Sequence, residues 1–204
     1  MPRNQDLSHT IQCQCGHIRG LLTPTYPSNR CVCYCDDCQA FARHLQAPDT
    51  MDARGGTEII QVPPSNLQFT QGTEKLACLR LTDAGMLRWY ATCCNTPIGN
   101  TPANQRMSFV GLIHTCLGNA TVREASFGPV TMVVGAKTAI GADKPAQKGL
   151  FSGIAKTMGM IIKARLSGAY RRNPFFRQDT GLAVATPTVL SASALSAAKA
   201  AAVS

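Results

Sequence analysis

Apolar residues recur along this chain in two rhythms. Up to residue 142 they come in short runs, many alternating with polar residues, at 58–62, 67–70, 75–81, 86–91, 108–113 and 131–134. A period of two buries one side of a strand, so these runs predict β-strands. Gln71-Gly72 and Asp83-Ala84-Gly85 supply the reversals between neighbours, since glycine accepts a positive φ cheaply. Short strands joined by tight turns predict an antiparallel, meandering sheet rather than βαβ units. Phe41 and Leu45, spaced i and i+4, predict one helix over 37–45. From residue 150 the period lengthens. Leu150, Ile154, Met158, Ile161 and Ile162 form a helical stripe over 150–166, with Lys148, Lys156 and Lys163 interspersed. Gly149, Gly153, Gly159 and Gly168 work against that helix. Arg171-Arg172-Asn173-Pro174 is expected to end it. Pro187 begins a turn, Ser191 is placed to cap a last, alanine-rich helix, and the final residues are expected to fray.

Composition narrows the class. With 204 residues, 45% hydrophobic and 15% charged, the chain has material for one good core and is not a disordered polar chain. Its ten cysteines fall below the roughly 8–10% that marks a disulfide-built miniature. The first twenty residues contain no apolar run of the kind a secretory signal needs. Residues 180–198 are uncharged, but they are mostly Ala, Ser and Thr and are interrupted by Pro187, so no spanning segment is expected. The expectation is a soluble, cytoplasmic protein with reduced thiols, in which clustered cysteines signal metal or catalysis.

Charge divides the chain. Residues 1–142 carry 11 Lys/Arg against 9 Asp/Glu, and residues 143–204 carry 9 against 2, so +7 of the net +9 lies in the last third. All ten cysteines lie at or before Cys116. The division predicts a cysteine-bearing domain over 1–142 and a basic helical extension over 143–204.

Three cysteine clusters carry the candidate chemistry: Cys13-Gln14-Cys15-Gly16, then Cys31-Val32-Cys33-Tyr34-Cys35-Asp36-Asp37-Cys38, then Cys93-Cys94. Two cysteines one or two residues apart can reach one ion together, and zinc takes four such ligands in a tetrahedron. Cys33, Cys35 and Cys38 offer three sulfurs within six residues, and three protein ligands with an open fourth position is the usual arrangement at a catalytic zinc.

The order C-x-C-G, then C-x-C-x-x-C about eighteen residues on, then a late cysteine followed by Thr96-Pro97, resembles the glutathione-dependent formaldehyde-activating enzyme family, which includes the centromere protein V domain. The resemblance covers residues 11–100, about half the chain. It implies a mainly β, Mss4-like fold of antiparallel sheets stapled by zinc, to which this chain adds the basic α-helical extension. It implies a structural zinc held by Cys13, Cys15 and Cys94. It also implies a second, catalytic zinc on Cys33, Cys35 and Cys38, at which a small thiol such as glutathione and an aldehyde such as formaldehyde combine, the chemistry of a carbon–sulfur lyase. The family's late motif is R-x-F-C-x-x-C-G, whereas here it reads Arg88-Trp89-Tyr90-Ala91-Thr92-Cys93-Cys94-Asn95. Ala91 stands where a thiolate belongs. Either Cys93 swings in as the fourth ligand, or three cysteines share the ion with water or another donor. Neighbouring residues point apart on a regular strand, so Cys93 and Cys94 on one ion require a bent backbone.

Each remaining candidate has a plainer reading beside the chemical one. Cys31 can substitute as a ligand or point away on its strand, and Cys78 and Cys116 read as core. Asp36 and Asp37 can take a thiol proton, but as carboxylates at a helix start they read better as caps. His44 can line a pocket or sit on the surface, and Gly55-Gly56 can admit a substrate or form a plain loop. The basic extension can lie on an anionic membrane, draw in nucleic acid, or pack its apolar side on the domain with its lysines in water, and the last is favoured. Two functional classes follow: a zinc enzyme acting on a thiol–aldehyde adduct, and a non-catalytic, zinc-stabilised binding module whose basic tail engages an anionic partner. A metal-buffering or redox role of the clustered thiols is a weaker third.

Overall fold

The computed structural model describes residues 8–25 and 28–200; the fraying expected at the C-terminal end falls on residues 201–204, outside them. Eleven strands form two sheets. The smaller contains β1 (His9–Gln12), β2 (Arg19–Leu22) and β5 (Leu67–Gln71), paired antiparallel in the order β1-β2-β5. The larger contains β3 (Asn29–Cys33), β4 (Thr57–Val62), β6 (Leu76–Arg80), β7 (Leu87–Ala91), β8 (Pro97–Thr101), β9 (Val110–Ile113), β10 (Met132–Val134) and β11 (Thr188–Val189). Its order is β10-β3-β4-β9-β8-β7-β6-β11. Four helices accompany them: α1 (Asp36–His44), α2 (Ala120–Phe127), α3 (Leu150–Leu166) and α4 (Ala192–Ala200).

The fold is mixed α/β and dominated by its sheets. The expected antiparallel meander holds for the interior pairs from β3 to β6, including the tight β6–β7 and β7–β8 reversals. The two edges differ: β10 runs parallel to β3, and β11 parallel to β6. Both edge strands return to the sheet after long excursions, and a parallel neighbour needs such a crossover rather than a hairpin. The expectation of wholly antiparallel sheets is corrected on this point.

Alternation explains how the sheet is covered. On β7, Leu87, Trp89 and Ala91 point into the main core with Ile60, Val110 and Leu112, and the small sheet adds Ile11, Leu22 and Leu67. Trp89 is fully buried and donates its indole N–H to Thr101 Oγ1 at 3.0 Å, so the one polar atom of the ring is satisfied. Leu79, Leu81 and Ile113 pack instead with Phe41 of α1 and Leu45 just after it, and with Ala198 and Leu195 of α4.

The basic segment adds to this frame in three places. Phe175 and Phe176 enter the main core, β11 lengthens the large sheet, and α4 packs on α1. Ser191 caps α4 through Oγ, which accepts from the Ala194 N–H at 3.2 Å. Helix α3 ends earlier than the Arg171–Pro174 stretch would require. It stops at Ser167, because Gly168 takes φ 72°, the left-handed conformation that closes helices. No helix among the described residues is long and apolar enough to cross a membrane.

Helix α3 lies close over β3 and β10. A Cβ on Gly153 would run into the Met132 thioether, so glycine lets the helix come this close without displacing that side chain. Asn29 Nδ2 donates to the Gly153 carbonyl (2.9 Å) and to Gln61 Oε1 (2.7 Å), and Thr157 Oγ1 donates to the same Gln61 oxygen (2.6 Å). This network pins one side of α3 to β3 and β4. A cavity opens beside this network, with Gln61, Gly153 and Thr157 in its wall together with Ile154, Met158 and Ile161.

Candidate metal centres

Two sets of thiols converge. Cys13, Cys15, Cys93 and Cys94 bring four sulfurs within 4.8 Å of one another, and Cys33, Cys35 and Cys38 bring three. None of the ten cysteines is in a disulfide.

In the first set, Cys13 and Cys15 lie on the turn between β1 and β2, and Cys93 and Cys94 on the turn after β7. Cys13 Sγ is 3.5 Å from Cys15 Sγ and 3.9 Å from Cys93 Sγ, and Cys93 Sγ is 3.9 Å from Cys94 Sγ. Adjacent Cys93 and Cys94 reach one point because the chain leaves the strand at Ala91 and turns through Asn95, which takes φ 54°. This is the bent backbone the pair requires, and Ala91 itself is buried in the main core. The backbone N–H of His17, with its ring, lowers the Cys15 thiol to about 5. That favours a thiolate at the rim of the cluster.

In the second set, Cys33 ends β3, Cys35 is the N-cap of α1, and Cys38 lies in its first turn. Cys33 Sγ is 3.3 Å from Cys35 Sγ and 3.5 Å from Cys38 Sγ. The Cys35 carbonyl accepts the first helical bonds, from the N–H groups of Cys38 and Gln39, and its side chain makes no capping bond. Its sulfur is therefore left free for the cluster at the positive end of a helix. Hydrogen bonds from the Cys33 and Cys38 thiols hold Cys35 far below the usual thiol range, against the opposing effect of burial, and Arg88 adds to the lowering.

Both sets pass a test of fit. Zinc–sulfur bonds near 2.3 Å in a tetrahedron space the sulfurs ~3.8 Å apart, and the closest sulfurs here lie between 3.2 and 3.9 Å. Soft thiolates suit zinc, copper(I) or an iron–sulfur centre. Each cluster can hold a metal ion.

The two differ in surroundings. The four-cysteine set ties two turns together near the surface. The triad opens on a cavity of about 550 Å³ between the large sheet and α3. Asp37, Arg88 and Asn100 line the same space beside the triad.

The other candidates take their places around these sites. Cys31 lines the cavity but stands outside the triad's cluster, and burial pushes its thiol up to about 12. Cys78 and Cys116 are buried in the main core. Asp36 and Asp37 occupy the first turn of α1, where carboxylates favour the helix electrostatically, yet neither is the N-cap. Asp37 also pairs with Arg88 and Lys199, at 3.7 Å each. His44 is exposed. Gly55 and Gly56 form a turn held by Asp52, whose Oδ1 accepts from the Gly56 N–H at 2.8 Å and whose Oδ2 accepts from Tyr34 Oη at 3.0 Å. Three groups had no part in the sequence argument: Arg88, Asn100 and the methionines of the cavity. The readable signal was Arg88 itself, a charge inside a strand that is buried on both sides.

A family model described as a family of unknown function (DUF6151) matches residues 7–186. The chain belongs to that family. The match spans both cysteine clusters and runs through α3 to Thr186-adjacent sequence, so the family unit includes much of the basic segment. No curated protein matches the chain. Among solved structures, a crystal structure of a Rhodobacter sphaeroides protein is similar at 16% identity and a TM-score of 0.39, covering 55% of this chain and 92% of that one.

Proposed function

We propose that this member of the DUF6151 family is a two-zinc protein whose Cys33/Cys35/Cys38 site catalyses formation or cleavage of a carbon–sulfur bond in a thiol–aldehyde adduct. One observation carries the reading: all three sulfurs of the three-cysteine cluster face a cavity of about 550 Å³, whereas the four-cysteine cluster borders, through Cys94 alone, a small pocket of about 120 Å³. A closed set of four thiolates is what a structural site needs, and a set of three beside a cavity leaves a position for a reactant. The resemblance of the cysteine spacing to the formaldehyde-activating enzymes supports the choice of reaction, with glutathione and formaldehyde as the reactants it implies.

Zinc held by three thiolates would supply a Lewis-acidic position for a thiolate or a carbonyl oxygen. The chain's own groups do the rest. Hydrogen bonds from the Cys33 and Cys38 thiols, with a smaller contribution from Arg88, keep the Cys35 sulfur anionic and ready to bind metal. Arg88 and Asn100 line the space next to it as hydrogen-bonding groups for an oxygen. In the forward direction a thiol sulfur bonds to the aldehyde carbon, the carbonyl π pair moves to oxygen, and that oxygen takes the proton the thiol gave up. No oxidant or reductant is needed.

The test is Cys35→Ala. The variant is expected to fold, to keep one metal ion of two, and to lose turnover of a thiol–aldehyde adduct. An active Cys35→Ala protein would end the proposal.

One observation favours the second reading, a zinc-stabilised module engaging an anionic partner in the cytoplasm. Phe151 and Leu166 of α3 are 88% and 85% exposed, and Ile162 is 52% exposed on the same side. Lys156, Lys163 and Arg165 lie on the same helix, a pattern suited to an anionic membrane or, less well, to nucleic acid. Salt-dependent retention on anionic vesicles or DNA supports that reading, and its absence removes it.

A further inference from the structure

The cavity beside the triad is large and apolar for the reactants the cysteine motif implies. Its volume of about 550 Å³ lies in the ~300–1,000 Å³ range of sites for whole small organic ligands. Formaldehyde would leave it almost empty. Met86, Met107, Phe109, Met132, Ile154 and Met158 make up much of its wall. Glutathione carries two carboxylates and an ammonium, yet among the described residues the lining offers one cation, Arg88, and one anion, Asp37. Burying that tripeptide here would strand charges without partners. Methionine side chains are flexible and polarisable, and they mould around alkyl chains. Met86, Met107, Ile154 and Met158 are also partly exposed at 37–51%, so the entrance is apolar as well.

The polar groups collect at the triad. Arg88 is 5% exposed, and its guanidinium makes a single hydrogen bond among the described residues, a long one of 3.4 Å to Asn100 Oδ1. Its ion pair with Asp37 is loose, at 3.7 Å, and Lys199 shares that carboxylate at the same distance. A guanidinium carries five N–H donors. Most of those on Arg88 have no protein acceptor within hydrogen-bond distance and border the cavity, so they are available to an acceptor that a ligand supplies. The cation also lies over the Phe41 ring, 5.5 Å from its centre, which holds its plane in position.

We propose that the cavity binds an aliphatic chain of medium length with one terminal carbonyl oxygen, the chain among the methionines and the oxygen accepting from Arg88. The source is an aldehyde or ketone, or the carboxylic acid of the same chain. The inference rests on the lyase reading only for which end of the ligand reacts: an aliphatic aldehyde takes the place of formaldehyde, and its carbonyl meets the triad.

The experiment titrates the full-length, zinc-loaded protein with 2-decanone, decanoate and glutathione by calorimetry. Saturable binding of 2-decanone or decanoate, with none of glutathione inside the cavity, is expected. The tighter of the two probes identifies the source. Arg88→Met should weaken binding about tenfold or more, the scale expected for losing a charge-assisted hydrogen bond. Because Arg88 is buried and its removal can cost folding, Ile154→Trp supplies a second variant. It fills the entrance from a half-exposed position and should cut affinity as strongly while leaving metal content unchanged. Zinc-replete protein that binds neither probe, or an Ile154→Trp protein that binds them unaltered, overturns the proposal. Binding that persists in a protein without carbon–sulfur turnover overturns the lyase reading instead and leaves this one standing.

Discussion

Cys15 Sγ lies 3.2 Å from Cys93 Sγ, across 78 residues of chain. The contact shows how the cluster answers the alanine at position 91. The chain turns two residues later and brings Cys93 into the cluster with Cys13, Cys15 and Cys94. Cys93→Ser is therefore expected to lower bound metal from about two ions to about one and to lower the melting temperature, since binding energy at such a site is folding energy. Metal analysis and thermal unfolding of the same sample check both. A Cys78→Ser protein, altered in the core, should retain its full metal content.

Thiol reactivity should separate the ten cysteines into two populations. Cys31, Cys78 and Cys116 are 3%, 2% and 1% exposed and belong to no cluster, and burial pushes the Cys78 and Cys116 thiols up to about 12. The seven clustered sulfurs would be guarded by metal instead. Under native conditions a thiol reagent should find few reactive groups before chelation and the clustered ones after it. The buried three should react only in denaturant. Ready reaction of the clustered cysteines before chelation would argue against tightly held metal.

Much of this arrangement was legible in the residues. The runs at 58–62, 67–70 and 86–91 became β4, β5 and β7 because their alternation is strong and their turns are local. The stripe from Leu150 became α3 with the expected bounds, despite its glycines, because tertiary packing outweighs propensity and Gly153 is what lets the helix approach Met132. β1, β2, β3, β8 and β11 gave weaker signals. They are short, and β3 and β8 are buried along nearly their whole length, so no polar–apolar alternation marks them. Helix α2 is brief and begins at an asparagine cap, with Asn119 Oδ1 accepting from the Val122 N–H at 3.0 Å. The cysteine sets could be grouped from spacing, but the cavity could not, because it is built by α3 meeting β3, β4, β7, β8, β9 and β10, strands scattered along the chain.

Acid should destabilise the protein in two stages. Burial raises the pKa of Glu58, but hydrogen bonds from Arg123 and Arg30 outweigh it, and the folded carboxyl sits below its usual value of 4.5. The unfolded chain therefore takes up a proton there more readily, and the stability Glu58 contributes is complete above the ordinary carboxylate range and lost as pH falls through and below it. Burial also lowers His9 and His114 from 6.5, so the unfolded chain gains protons at these positions first, as pH drops through 6.5. Glu58→Gln should remove the lower stage. It should also cost about 3 kcal/mol at neutral pH, because Arg30 and Arg123, both nearly buried, lose the charge between them. Denaturant midpoints from roughly pH 4 to 8, the window set by these groups, test both statements. A variant whose curve parallels the parent at every pH would refute the assignment.

Phe175 tests whether the basic segment is part of the fold's core. Its ring is fully buried, with its centre 4.9 Å from that of Trp89 and 5.5 Å from that of Phe69, edge to face with the latter. It thus joins the large sheet to the small one from a part of the chain whose charge would suggest a surface appendage. Removing a buried phenylalanine ring leaves a cavity as well as losing transfer energy, so Phe175→Ala should cost about 3–5 kcal/mol. Ending the chain at residue 142 removes the ring, β11 and α4 together, and should leave Trp89 and Phe41 exposed and the remainder unable to fold. Urea unfolding of the point variant gives the first figure, and near-ultraviolet circular dichroism of the truncated chain gives the second answer. A loss below about 1 kcal/mol for Phe175→Ala, within the range of surface substitutions, together with a folded truncated chain, would make residues 143–204 a separable extension. A large loss with no folded truncation product makes the basic segment a structural part of the protein, and places its exposed apolar helix face on a rigid frame beside the cavity.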